Sequence, residues 1–428
     1  MALGAVLEPL VVVTLLFGGA WFNRNRDCSL RESRSTWAPV DGSVKKSDEF
    51  RKRDLLQESL VPCSESSWRP SASPSSYDPF AQRRRRINIL GYERLVTSPN
   101  TLVFKDRFLS RVLRKFPFLV EVWYWALIYW SKLYQIGRAI TALTLVEDTV
   151  HVARRHALEV IHLEQRLPIF YEVPIQKFFL QYPTAMSWIN RVYSFIHIPG
   201  TILFLIVLYS VTTNRKRLAV TDGVEVNSAN AAGLALYEAR RRTMAVCNLI
   251  AFVIFTLWPC MPPRLLSNPE YDGESAVEVK SFGFVDTVHS ADGASSVWTT
   301  NKFCNQYAAM PSLHFGYSLL IGLTIATFPL GDARATYWKR ISMVVLGMSY
   351  PMLILTAIVA TANHFILDAV AGAMVCGVAW HANGILLNLC ALEDHFLWIM
   401  RIHKPSQSTE CETATDSEQF LWDFLRRV

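Results

Sequence analysis

The sequence contains no two cysteines at C-x-x-C spacing, although it has eight cysteines in all. It therefore offers no zinc-ribbon or zinc-finger pattern, and several thiols fall inside apolar stretches, where a free thiol acts as a small hydrophobe. No Lys or Arg precedes the first apolar run, Pro9 to Phe22. A secretory signal carries positive charge ahead of its apolar core, so residues 1–22 read as a retained membrane anchor. Charge is scarce, with Asp, Glu, Lys and Arg making up 18% of the chain against about 25% in soluble domains. A basic amphipathic face is also missing. The net charge of +7 sits in short runs beside apolar stretches, which argues against nucleic acid and for orientation in a membrane.

Apolar residues are abundant: 51% of the chain is hydrophobic, with 13 Trp and 24 Phe. They gather in runs suited to a bilayer, which needs roughly 17 to 25 residues per helix. Beyond the anchor, six spans are expected at Phe118 to Leu133, Val192 to Val211, Met244 to Pro262, Ser312 to Leu330, Ile341 to Thr361 and Phe365 to Leu389. The fold class expected is all-α, a polytopic membrane helix bundle with a six-span domain over 117–390. Arg215 to Arg217, Arg240 to Arg242, Arg334, Lys339 and Arg340 mark two connections as cytoplasmic. The connection carrying Glu270, Asp272, Glu274, Glu278, Asp286 and Asp292 has few bases and reads as lumenal or extracytoplasmic.

Residues 23–116 are rich in Ser, Arg, Pro and Asp without sustained apolar periodicity, and read as a basic, largely disordered cytoplasmic segment. Its Arg83 to Arg86 run either sets orientation or touches anionic headgroups. Residues 391–428 read as a cytoplasmic tail, ending in SEQFLWDFLRRV, either a short amphipathic helix or a disordered end. Between the first two spans, RRHALEVIHLEQRLPIFYE has apolar residues at helical spacing and reads as an amphipathic helix on the membrane or over the bundle.

Ionisable groups beside membrane spans are costly, so clusters of them point to function. Arg264 follows Pro262 and Pro263 where the third span ends, Ser312 and His314 open the fourth, and Asn363, His364 and Asp368 lie between the fifth and sixth. Span order brings all three clusters to one bilayer face. His364 and Asp368, four apart, share a helix face, so the carboxylate can hold one imidazole nitrogen and leave the other as a nucleophile. Ser312 at a helix start and Arg264 with its forked donors suit an anionic phosphate. Each residue alone has a plainer reading. A histidine at a helix end is commonly an interfacial polar group, H-x-x-x-D serves equally as a structural hydrogen bond or half a metal site, and Arg264 alone reads as snorkelling.

PPR, MPSLHFGYS and NHFILDAVAG, in this order and at these boundaries, resemble the three motifs of the type 2 phosphatidic acid phosphatase superfamily. They are most similar to its inositolphosphotransferase branch, which includes the fungal inositol phosphorylceramide synthases, and HLEQRLPIFYEVPIQKFF resembles a segment of that branch. The likeness covers roughly residues 117–390. It implies metal-independent phosphotransfer through phosphohistidine, without a cofactor. His364 would be the nucleophile, Asp368 its orienter, His314 the acid, and Arg264 with Ser312 the phosphate cradle. The chain departs from other branches at Leu257 and Ile358, where those carry Lys and Arg, and at Ser-Leu-His in place of Ser-Gly-His. A thinner set of cations suits a phosphodiester.

The expected activity is transfer of a phosphoryl or phosphoryl-headgroup moiety from a phospholipid to a lipid alcohol. The alternatives are a lipid phosphate phosphatase with water as acceptor, and a non-catalytic transporter or scaffold. The partners expected are lipid substrates and the bilayer, not nucleic acid. The expected location is an endomembrane, Golgi or endoplasmic reticulum, with a lumenal site. Cys260 and Cys304 flank the lumenal connection and either pair there or remain free thiols.

Overall fold

Apolar runs in the second half of the chain form helices whose polar ends converge. A computed structural model describes residues 2–26, 28, 30, 83–89, 91–129, 147–193, 197–221, 234–267, 276–287, 307–328 and 337–404. The described helices are α1 (Ala2–Phe22), α2 (Phe108–Lys115), α3 (Phe118–Tyr129), α4 (Glu147–Arg166), α5 (Glu172–Leu180), α6 (Pro183–Arg191), α7 (His197–Thr221), α8 (Leu234–Leu257), the single turn α9 (Pro263–Leu266), α10 (Ala276–Ser281), α11 (Leu313–Ala326), α12 (Tyr337–Ala360), α13 (Ile366–Ala382) and α14 (Cys390–Met400). A 3-10 segment, Asn383–Leu389, joins the last two. Two stretches, Tyr337–Ala360 and Ile366–Met400, are long and apolar enough to cross a membrane; Pro9–Phe22, His197–Thr213 and Leu313–Ala326 are shorter apolar helices.

The core of the bundle is α11 packed against α12 and α13, with α8 against α13. Small residues permit the approach, as they do where helices pack closely. A Cβ on Gly322 would meet the Gly347 carbonyl oxygen at 2.5 Å, and one on Gly347 would meet that of Gly322 at 2.5 Å. Glycine at both positions lets α11 and α12 touch backbone to backbone. Gly372 plays the same part between α13 and α11, where a Cβ would lie 2.2 Å from the Ser312 carbonyl oxygen.

Several sequence expectations change. The helix at the fourth expected span stops at Ala326, so α11 has 14 residues and rises only about 21 Å. The third begins at Leu234, which draws Arg240 to Arg242 out of the expected loop and into α8. The arginines are accommodated because each has a partner: Arg240 lies 3.3 Å from the centre of the Trp380 ring, Arg241 pairs with Glu121, and Arg242 donates to Asn383 at 3.3 Å.

Residues 83–116, expected to be unstructured, contain an antiparallel hairpin, β1 (Arg83–Ile89) with β2 (Tyr92–Ser98), a 3-10 turn at Thr101–Phe104, and α2. The hairpin departs from an all-α fold. It is held by what was expected to be a tail: Arg85 donates twice to Asp394, at 2.9 and 3.2 Å, and Ser98 donates to the same carboxylate at 2.6 Å. An internal acid consumes part of the basic run. The terminal segment SEQFLWDFLRRV and residues 31–82 lie outside the described residues.

Candidate active site

Backbone hydrogen bonds bring the three motif segments together. The Cys260 N–H donates to the Tyr307 carbonyl at 2.8 Å, and the Ala309 N–H donates to the Cys260 carbonyl at 3.1 Å. Arg264 N–H donates to the Ala362 carbonyl at 2.8 Å, and Ser312 N–H to the Asp368 carbonyl at 2.9 Å. Each segment thereby satisfies buried backbone groups of another, which ties the site to the fold. Cys260 is a buried free thiol; Cys304 lies outside the described residues.

The turn that carries His364 is a helix C-terminus. Ala362 has φ 51, Ala362 N–H donates to the Val359 carbonyl at 2.9 Å, and Asn363 N–H to the Ile358 carbonyl at 3.0 Å. These are the two bonds of a Schellman motif, with alanine where glycine is usual. The reversal directs Asn363 and His364 back toward the bundle immediately before α13 starts.

His364 is 5% exposed. Its Nδ1 lies 2.7 Å from the Ala309 carbonyl oxygen and 3.4 Å from Asp368 Oδ2. A carbonyl oxygen only accepts, so the short contact requires a proton on Nδ1, which in the neutral ring puts the lone pair on Nε2. Asp368 is at hand but is not the nearest partner of the ring. Its Oδ2 also accepts from the Phe365 N–H at 2.9 Å, reaching back over the first turn of α13 as an N3 acid does in a capping box.

His314 is half-buried, its ring centre 5.5 Å from that of His364. Tyr193 stacks on it at 4.7 Å, and His197 lies 4.7 Å away on another side. Arg264 does not snorkel. Its side chain is 9% exposed, Nε donates to Asn363 Oδ1 at 2.8 Å, and Nη1 pairs with Asp286 at 3.1 Å. The fork is thus anchored beside the residue preceding His364. Asp286 is held in turn by its neighbours, because Gln176 exchanges two hydrogen bonds with the Val285 backbone, at 2.8 and 3.0 Å.

Ser312 differs from the sequence expectation. Its N–H is taken by the Asp368 carbonyl, and its Oγ accepts from the Phe315 N–H at 3.4 Å as a helix cap. Of Ser312 itself, only the hydroxyl proton remains for an anion.

The sequence reading overlooked several residues around this centre: the Ala309 carbonyl, Tyr193, His197, Glu164 and Glu172. Glu164 Oε1 accepts from the Leu367 N–H and Glu172 Oε1 from the Ile366 N–H, each at 2.8 Å. A signal was present for Glu164. Ala153, Ala157, Val160 and Ile161 form the buried stripe of α4, and Glu164 continues it at a position where an apolar residue is the default.

Residues 226–382 match the family model of the PAP2 superfamily. The match supports that superfamily and contains Arg264, Ser312, His314, His364 and Asp368; Glu164 and Glu172 lie outside it. No curated protein and no solved structure matches the chain.

Proposed function

We propose that this chain, on the strength of its PAP2 superfamily match, is a membrane enzyme that moves a phosphoryl or phosphoryl-headgroup moiety between lipids through phosphohistidine on His364. The observation that carries the reading is the Ala309 carbonyl at 2.7 Å from His364 Nδ1. In the neutral imidazole this contact places the nucleophilic lone pair on the other nitrogen, and His314 and Arg264 stand around the same residue.

The chemistry balances over two steps. Nε2 attacks phosphorus, an N–P bond forms as the P–O bond to the leaving alkoxide breaks, and a protonated His314 gives its proton to the departing oxygen. While His364 carries the group, its ring is cationic, and Asp368 at 3.4 Å offsets that charge. An acceptor hydroxyl then attacks phosphorus, its proton passes to His314, and the N–P bond breaks. Arg264 stabilises charge on the non-bridging oxygens.

The match covers α8 and α11–α13; α3 and α7 would complete six spans, with α4 to α6 over the site end of the bundle and α1 as an added anchor. This arrangement puts Arg240 to Arg242 and the site at opposite ends of α8, consistent with a lumenal site in an endomembrane. A single cationic clamp among the described residues, already paired with Asp286, suits a phosphodiester donor and an inositol phosphorylceramide synthase-like transfer. A second reading, hydrolysis, is favoured by His314, which is half-buried where His364 and Asp368 are buried.

Detergent-purified protein given phosphatidic acid in one reaction, and phosphatidylinositol with fluorescent ceramide in another, separates these readings. Labelled phosphoceramide product supports transfer, and released phosphate supports hydrolysis. Product in neither reaction removes the enzymatic reading and leaves a transporter or scaffold.

A further inference from the structure

The first turn of α13 faces protein, so its unpaired N–H groups need acceptors from outside the helix. Carboxylates take three in succession: Asp368 takes Phe365, Glu172 takes Ile366 and Glu164 takes Leu367. Asp368 is local, but Glu164 and Glu172 come from α4 and α5, roughly 200 residues earlier in the chain. Both are 0% exposed. The second oxygen of each, Oε2, is buried with no donor among the described residues, and the two carboxyls lie close enough for each to bear on the other's charge. Two carboxylates in contact cannot both stay ionised away from water. A proton retained by the pair removes one of the two buried charges.

We propose that Glu164 and Glu172 are positioning residues of this site, a carboxyl–carboxylate pair sharing one proton that grips the start of α13 and so sets His364 and Asp368 against Ala309 and His314. The inference rests on the phosphotransfer reading above. The pair touches no reacting atom. Its action runs through the Ile366 and Leu367 N–H groups to the turn at Phe365, next to His364.

Further contacts join α4 to the same centre. Met261 N–H donates to the Ala153 carbonyl at 3.1 Å, and His156 bonds the Pro259 carbonyl at 2.8 Å. Thus α4 braces the Arg264 segment and α13 together. Burial raises the Glu164 carboxyl to about 9, with the Glu172 contact as the next cause, and burial also raises Glu172. Both directions agree with a retained proton. An amphipathic helix that only covers the bundle would carry an apolar residue at these positions.

Glutamine serves as the conservative variant. In Glu164→Gln or Glu172→Gln the amide oxygen still accepts the backbone N–H and the amide nitrogen donates to the remaining carboxylate, which replaces the shared proton. In Glu164→Ala or Glu172→Ala the N–H loses its acceptor. The assay is turnover of the donor and acceptor lipids shown to react with the wild type, with amide hydrogen exchange across residues 364–368 measured in parallel. The alanine variants are expected to lose at least tenfold in kcat with KM within about twofold, and to exchange the Ile366 and Leu367 amides faster. The glutamine variants are expected to stay within about threefold of wild type in both measurements. If an alanine variant does not fold, Glu164→Asp, which withdraws the carboxylate by one methylene, takes its place with the same expected split.

Wild-type kcat in folded alanine variants overturns the inference, as does a loss confined to KM, or glutamine variants as impaired as alanine ones. Turnover indifferent to His364→Ala overturns the phosphotransfer reading instead. In that case the exchange rates still decide whether the pair holds α13, because unchanged protection in the alanine variants overturns that too.

Discussion

His364 Nδ1 lies 2.7 Å from the Ala309 carbonyl oxygen, so a backbone group that no substitution at position 309 removes sets the tautomer of the proposed nucleophile. Asp368, at 3.4 Å from the same nitrogen, is left to offset charge and cap α13. Asp368→Asn is therefore expected to lower kcat by about 10² to 10³, less than the roughly 10⁴-fold loss where a carboxylate alone selects the tautomer. Asp368→Ala should lose more, because the Phe365 N–H loses its acceptor. Steady-state kinetics of the two variants, with circular dichroism to confirm folding, checks the order. Equal losses would return the orienting role to the carboxylate.

Gly372 offers a test of how closely packing and chemistry are coupled. A Cβ there would sit 2.2 Å from the Ser312 carbonyl oxygen, whereas one on Gly377 meets nothing within 4 Å. Gly372→Ala is expected to cost about 1 to 3 kcal/mol by overpacking and to abolish most activity by pushing the start of α11 away from α13. Gly377→Ala should leave both unchanged. Thermal unfolding in detergent alongside turnover gives the comparison, and a fully active Gly372→Ala protein contradicts the close approach.

The buried carboxyl pair has a consequence for stability. Glu164 titrates near 9 in the folded protein, against 4.5 as its ordinary value. Between these values the folded state holds a proton that the unfolded state has released, so stability falls as pH rises through that window. Beyond it the loss is complete. The neighbours that face Glu164, namely Glu172, Asp368 and the Cys260 thiol, are acids and do not reverse the sign. Glu164→Gln should flatten this part of the curve, measured as unfolding midpoint against pH from about 5 to 9. A variant curve parallel to wild type would show that Glu164 is ionised throughout.

The motif residues could be read as one cluster because the expected span order brings Arg264, His314 and His364 to one face whatever the exact helix ends, and the structure sets the His314 and His364 rings 5.5 Å apart. Their partners were harder to read. The Ala309 carbonyl carries no side-chain signal, and Ala362 takes the left-handed position where glycine would have marked the helix end. Arg240 to Arg242 read as loop because charge was weighed without its partners Trp380, Glu121 and Asn383. The hairpin at Arg83–Ser98 was hidden for the same reason, since Asp394, which compensates Arg85, lies some 300 residues away. Glu164 and Glu172 belong to a helix pattern that is usually simple packing, and only the exposed N–H groups of α13 give them a purpose.

The central claim is a covalent phosphate on His364. Wild-type protein is mixed with donor lipid carrying labelled phosphate, quenched in alkali before acceptor is added, and digested for mass analysis of the peptide containing residue 364. The expected result is the transferred moiety on His364, phosphoryl from a monoester donor or phosphoryl-headgroup from a diester, lost in acid, discharged when acceptor is supplied, and absent from His364→Ala. Turnover of the same donor with no phosphate on His364 under these conditions, or with an unchanged rate in His364→Ala, would contradict it.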